Sequence, residues 1–476
     1  MNEFITKPKI YMNSTYQRYS ERRLSAVFLF TLFVLPQYFG IQVGGYDLTA
    51  LRIMAILFLI YIIESRERFQ KFISIIDKAP FKLCMFFYLC VLAYTAVLRI
   101  NVNTILQTVI EFTCLFIVSY IILEIYGVED FIALIMKFLY VLTILGIVEF
   151  FMKQTPFAYL EAIPGLYTGG FIRSGVYRVM GPCNHSLGYG LLLITVFPMV
   201  CLNVVTNKLS IMHRPILCIL IIINIFMTGS RSTLAVFFLE LFLLFIFSER
   251  KQKKAIILGL SVILLISGAY ISMFLNTEVA QYIMRQVCSV FDSIFDTQYA
   301  ANFGADMKRL ADSARTRELT LQIFNLDWLN PLLGRGLKRG VTVVIDGWAI
   351  TSVDNFYVCQ YIRFAYPGLV LYGLFIIITV VGILKEAIRK KSGIKMVLFI
   401  SIVAYFVNLW FLDTLQTLKY VYIQFAIYVA VIIKENALDP YNETNHYKYF
   451  KQKSNLCIVQ MRGNEDEKGQ CHSSGV

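Results

Sequence analysis

The sequence predicts an all-α polytopic integral membrane protein of about 12 transmembrane helices, with a large helical external loop between helices 9 and 10. Three observations predict that class. The 476 residues are 58% hydrophobic and only 16% charged, and the mean hydropathy is +0.65. Apolar runs of membrane-spanning length recur along most of the chain. The basic residues collect in short connections between those runs, where they orient helices, so the formal charge of +13 does not point to nucleic acid.

In chain order the spans read as 24–43, 48–64, 80–98, 104–125, 131–152, 187–205, 211–229, 232–248, 255–275, 365–384, 396–412 and 417–434. No small-residue cleavage pattern follows the first run, so it reads as a span and not as a signal peptide. With the amino terminus in the cytoplasm, the inner connections hold 20 Lys and Arg and the short outer ones 5, which sets both termini inside. The chain then divides into a cytoplasmic tail (1–23), nine helices with an external loop at 153–186 (24–275), an external catalytic loop (276–364), three more helices (365–434) and a second cytoplasmic tail (435–476). In the larger loop, Ser313 is expected to cap a helix through Arg315 and Arg317 that ends before Asn330-Pro331. Gly334-Arg335-Gly336 follows as a turn whose backbone could approach a ligand closely. The ten cysteines show no metal or disulfide spacing, although Cys183, Cys288 and Cys359 fall in external segments and leave one disulfide open. The four histidines are too scattered for a zinc site.

The sharpest candidate is Arg231, at the tip of an apolar hairpin in Thr228-Gly229-Ser230-Arg231-Ser232-Thr233. Ser230, Ser232 and Thr233 can cap the next helix, whose positive dipole end and the guanidinium together make an anion site. The bland alternative is an arginine snorkelling to lipid headgroups. Arg173 and Arg178, with Asn184 and His185, form a second group able to grip phosphate or sugar hydroxyls, against the alternatives of a solvated basic loop and a satisfied structural histidine. Asp354-Asn355, ahead of span ten, offers either a helix cap or a general base. Arg315 and Arg317 are either surface charges or ligands to substrate. Several arginines and one carboxylate on one side of a membrane suit a reaction with a diphosphate leaving group and a hydroxyl acceptor. No acidic cluster stands there for a divalent cation, so neither metal nor cofactor is expected.

Three motifs resemble the O-antigen polymerase and O-antigen ligase superfamily of bacterial membrane glycosyltransferases. They are the Thr228–Ser232 hairpin, Asn330-Pro331-Leu332-Leu333-Gly334-Arg335-Gly336, and Asp354-Asn355 followed, after nine intervening residues, by Ala365-x-x-Gly368. The likeness covers roughly residues 170–385. It implies a metal-independent, inverting glycosyltransferase of the bacterial inner or plasma membrane, which moves a glycan from undecaprenyl diphosphate to a sugar hydroxyl. Arg231 and Asp354 would be catalytic. Arg173, Arg178, His185, Arg315, Arg317, Arg335 and Asn355 would bind diphosphate or substrate, with the register of Arg315 and Arg317 undecided. Asp354 stands where the ligases carry histidine, and this favours a polymerase of repeat units for O-antigen, capsule or exopolysaccharide. Beyond the lipid-linked oligosaccharide and membrane lipid, a chain-length regulator and a flippase would be its pathway partners. The rivals are a ligase-type transferase, a flippase and a scaffold of an export complex. Glu111 and Glu149, within spans four and five, are the best evidence for a transporter, whereas spans six to nine carry almost no mid-span charge.

Overall fold

The computed structural model describes residues 7–43, 46–167, 169, 171–173, 176–337 and 342–438. The carboxyl-terminal tail beyond 438, with His446 and His472, lies outside them. The chain divides into two compact units, Met1–Val429 and Ala430–Val476. Within the second, the description covers the last turns of one helix, to Leu438.

The class is all-α. In order the helices are α1 (Lys7–Phe33), α2 (Ala50–Ile63), α3 (Arg66–Lys78), α4 (Lys82–Leu98), α5 (Asn103–Tyr120), α6 (Gly127–Met152), α7 (Ser186–Val200), α8 (Pro215–Met227), α9 (Arg231–Phe247), α10 (Arg250–Phe274), α11 (Glu278–Phe295), α12 (Met307–Leu321), α13 (Phe356–Lys390), α14 (Gly393–Asn408) and α15 (Leu418–Leu438). The strands among the described residues form four two-stranded antiparallel hairpins: β1–β2 (Gly40–Val43, Tyr46–Thr49), β3–β4 (Phe171–Arg173, Val176–Arg178), β5–β6 (Leu202–Asn203, Lys208–Leu209) and β7–β8 (Val343–Ile345, Trp348–Ile350).

Three helical stretches are long and apolar enough to cross a membrane: the continuous run Asn103–Met152, α10 and α13. A fourth arises if α3 and α4, which meet at a bend of 95°, count as one broken span. Other expected spans correspond to shorter apolar helices, such as α2, α7, α8 and α14. A helix of 13 residues, the length of α8, rises only about 20 Å, less than a hydrocarbon core of roughly 30 Å. Spans one and two are shortened because Pro36 follows α1 and Gly40 pairs with Thr49 across a hairpin. The tail expected at 1–23 is helical from Lys7, as part of α1. The loop expected at 65–79 is instead the amphipathic α3, which buries Phe72 and Ile75. The turn expected at 126–130 falls at Gly127, whose φ of 78° interrupts the run between α5 and α6.

At the centre lies α7, buried nearly all round and packed against α8, α9 and α14. Its Tyr189 hydroxyl donates to Asn224 Oδ1 of α8 (3.1 Å), and Asn224 Nδ2 donates to the Thr143 carbonyl of α6 (3.0 Å). A side chain at Gly146 would collide with Asn224, so that glycine lets α6 and α8 close on this polar pair. A second core is aromatic: Phe81, Tyr88, Phe112, Tyr372, Phe375 and Phe425 interlock edge to face and at tilted angles. By contrast, α10 has none of its apolar window buried.

The long segment between α10 and α13 has its own small core, Leu319, Ile323, Leu329, Val343, Ile345 and Ile350 against Tyr361 and Ile362 of α13. Its arginine helix starts earlier than the sequence suggests. Ser313 sits within α12 and caps nothing, because the helix is already under way at Met307, with the Leu310 N–H bonded to the Asp306 carbonyl (3.1 Å). A 3-10 turn, Gln322–Asn325, ends it before Asn330. Among the described residues Cys183, Cys288 and Cys359 are all free thiols, so the external disulfide does not form.

Candidate functional site

The hairpin α8–α9 builds the site from its turn outward. Thr228 ends α8, Gly229 turns the chain at φ 58°, and Ser230 caps α9 by accepting the Thr233 N–H at 3.2 Å. A Cβ at Gly229 would meet Arg178 Nε at 3.2 Å and the Tyr282 hydroxyl at 3.3 Å, so both the turn and the crowding require glycine. The last carbonyls of α8 need partners from outside the helix. Tyr282 of α11 donates to Phe226 O (2.8 Å), the Val179 N–H to Met227 O (3.0 Å) and Arg178 Nε to Thr228 O (2.6 Å). Two chain segments, α11 and the Arg178–Val179 strand end, are thus tied to one helix end.

Glu149 fixes the approach of the Arg178 strand. Fully buried, its carboxylate accepts the Tyr177 hydroxyl (3.0 Å) and the Met180 and Gly181 N–H groups (2.7 and 2.9 Å). One of the two mid-span carboxyl groups that favoured a transporter therefore serves as the anchor of this loop. From the other side comes α11, whose end is turned back by Asp292. Burial alone would raise that carboxyl's pKa, but hydrogen bonds from Thr297 (2.6 Å), Ala300 N–H (2.8 Å) and Tyr299 N–H (2.9 Å) hold it below the usual range.

The result is a recess lined by Arg178, Gly229, Arg231, Tyr282, Arg285 and Asp306, among others. Three guanidiniums against one carboxylate leave an excess of two positive charges there. Guanidinium groups present planar pairs of N–H donors, which match the oxygens of phosphate. Two of these arginines, Arg178 and Arg231, were legible in the sequence. Arg285 and Tyr282 were not, although an arginine one turn after a tyrosine on the amphipathic α11 was a usable signal.

A second group of residues surrounds Asp354. Its carboxylate is exposed and accepts the Ser352 hydroxyl at 3.0 Å. The cap of α13 is Asn355 instead: it accepts the Tyr357 and Val358 N–H groups (2.9 and 3.1 Å) and donates to Trp410 O (3.0 Å). That leaves the Asn355 side chain committed to the fold and not to a substrate. The register of α12 is also decided. Arg315 lies over the Trp348 ring, whereas Arg317 lies over Phe411 within electrostatic reach of Asp354. Desolvation lowers the Arg317 pKa and Asp354 opposes the shift; with part of its side chain in solvent, the guanidinium stays charged. The two groups are linked by α12 itself, since Leu310 lines the arginine recess and Arg317 follows about 10 Å along the same helix.

The remaining candidates stand elsewhere. His185 caps α7, its Nδ1 accepting the Leu187 N–H at 3.0 Å. Arg335 lies over the Trp328 ring, with its N–H bonded to Ile362 O (2.8 Å) and that of Gly336 to Arg363 O (2.9 Å). Gly334 has no room for a side chain against Arg363 and Phe364. The glycines of that turn thus let the loop pack on the backbone of α13, just before its break at Ala365 (φ 54°), and not on a ligand. Arg173 pairs with Val176 across the β3–β4 hairpin, and Val176 lines the recess; the Arg173 side chain lies outside what is described.

No protein-family model matches the chain, and no curated protein matches it. The fold and site define a class: a predominantly helical protein, with helices apolar enough to cross a membrane, that carries an arginine-lined recess at the tip of an apolar hairpin.

Proposed function

We propose that this protein is a multi-pass bacterial membrane glycosyltransferase that polymerises lipid-linked oligosaccharide repeat units into a surface polysaccharide. In this reading about twelve apolar segments cross the inner or plasma membrane, both termini are cytoplasmic, and the arginine recess faces outward. The observation that carries the reading is the convergence of Arg178, Arg231 and Arg285 on one recess at the turn between α8 and α9. Undecaprenyl diphosphate supplies a lipid tail for the apolar helices and a dianionic group for the guanidiniums. In the reaction Asp354 takes the proton of an acceptor sugar hydroxyl, whose oxygen attacks the anomeric carbon. The bond from that carbon to the diphosphate breaks, and the arginines neutralise the departing charge. Arg317 stands within electrostatic reach of Asp354 and adds positive charge beside the base. The test is purified protein in detergent with EDTA and the host's own undecaprenyl-diphosphate-linked units. A ladder of elongated products, absent with Arg231→Ala, is expected. No ladder from the intact protein would sink the enzyme reading.

One observation favours a second reading. Glu240 of α9 is fully buried, and among the described residues neither carboxylate oxygen has a hydrogen-bond partner. A buried carboxyl of this kind within an apolar helix is a proton-carrying group in many transporters. A flippase would then move lipid-linked units across proteoliposomes and lose that activity with Glu240→Gln, while yielding no elongated product.

A further inference from the structure

A second cationic recess, separate from the arginine-lined one, lies where the chain enters α15. Gln37, Asn184, Gln416, Thr417 and Lys419 are among its lining residues. Lys419 is the second residue of α15 and only 7% exposed. Its ammonium carries three N–H donors, yet the one hydrogen bond described for it is a long one, 3.5 Å to the Leu35 carbonyl. Among the described residues no carboxylate comes within 4.0 Å of it. The groups that face it are neutral: the Tyr420 ring at 5.0 Å, and Cys183, whose thiol meets the Tyr420 hydroxyl at 3.9 Å.

A buried charge without a counter-charge is costly, and proteins keep one where something else supplies the compensation. Here the polar neighbours are neutral and tied to one another. Gln416 is held on both sides, accepting Asn184 Nδ2 at its side-chain oxygen (3.2 Å) and Gln37 Nε2 at its carbonyl (2.9 Å). The N-terminus of a 21-residue helix adds the positive end of its dipole beside the ammonium. We infer that the Lys419 recess is a binding subsite for a single oxyanion, the carboxylate of an acidic sugar or the phosphate of a lipid headgroup. The recess is small, so only an oxygen of the anionic group would enter it and the rest of the ligand would stay outside.

The experiment is thermal unfolding of the full chain in non-ionic detergent, titrated with sodium glucuronate or inorganic phosphate. Glucose and sodium chloride at matched ionic strength are the controls. Glucuronate or phosphate should raise the Tm of the unaltered protein and of Arg231→Ala by several degrees, and glucose should not. Lys419→Met should lose that shift, and without anion it should unfold no lower than the parent, because it removes an uncompensated charge. If Lys419→Met does not fold, Lys419→Gln gives the same reading. Nanodiscs identify the source: a Tm higher in phosphatidylglycerol than in phosphatidylcholine, lost in the lysine variant, assigns a lipid headgroup. A response to glucuronate alone assigns a soluble acid. A shift that survives in the lysine variant but vanishes in Arg231→Ala would put the anion in the arginine recess. That result would overturn this proposal and support the transferase reading. No shift with any anion or lipid, or a lysine variant that unfolds well below the parent, would make Lys419 structural.

Discussion

The arginine recess and the Asp354 turn both arise from connections between apolar helices, yet they are held very differently. Around Gly229 the backbone of α8 is gripped by Tyr282, Val179 and Arg178, and the Arg178 strand is gripped in turn by the buried Glu149. Asp354, by contrast, is exposed and tied by a single hydroxyl, while its neighbour Asn355 does the structural work of capping α13. On the proposed function the difference follows from chemistry. A site for a dianion gains from fixed donors, because guanidiniums arranged in advance need no reorganisation when charge develops. A base must meet a mobile acceptor, and it needs only to reach the proton it removes.

Breaking the gripped region should have the largest effect. Arg231→Ala is expected to lower turnover into elongated product by roughly 10²–10³-fold, the scale of losing one donor to developing negative charge. Arg178→Ala should match it in activity and also lower Tm, because it releases Thr228 O as well as a guanidinium. Activity per folded protein and Tm, measured on both, separate the two roles. The Asp354–Asn355 pair inverts this pattern. Asp354→Asn should cost about 10²-fold or more in turnover with unchanged Tm. Asn355→Ala should cost about 1 kcal/mol of stability and leave the turnover of folded protein near normal. Equal losses of activity and stability in both variants would erase the contrast. On α12, Arg317→Ala should lower turnover and Arg315→Ala should leave it within error, because only Arg317 reaches Asp354.

How much of this could be read from the sequence depends on range. The hairpin arginine, its glycine and its serine cap are a local signal, and the structure uses Ser230 as the cap and Gly229 at positive φ. Arg285 reaches the recess because α11 docks on the end of α8 through Tyr282, and no spacing rule brings together two arginines 54 residues apart. Glu149 and Glu240 look alike in sequence, each a carboxylate in an apolar run. One is satisfied by a loop about 30 residues downstream, and the other has no partner among the described residues. The bounds of the apolar segments shift for a related reason. An apolar run does not reveal where a hairpin will interrupt it, as at Gly40–Thr49, or where a polar loop will fold into an amphipathic helix, as at α3.

The smallest expected effect concerns what holds α11 in place. Asp292 has its pKa depressed in the folded protein by three hydrogen bonds that outweigh burial. Depression means that the folded form binds its proton less readily than the unfolded chain does. The stability it contributes is therefore complete above the ordinary carboxylate pKa of about 4 and is lost as pH falls through the lower folded value. Limited proteolysis at the turn after α11 should accelerate on acidification below pH ~4 in the parent protein. In Asp292→Asn it should be fast at every pH. Because this turn carries Ala305, Asp306 and Leu310 to the recess, Asp292→Asn should also weaken Arg285-dependent binding of inorganic diphosphate while leaving the Asp354 turn unchanged. If proteolysis stayed independent of pH in both proteins, the carboxylate would not be what closes the far wall of the recess. The grip on the arginines would then come from the α8 end alone.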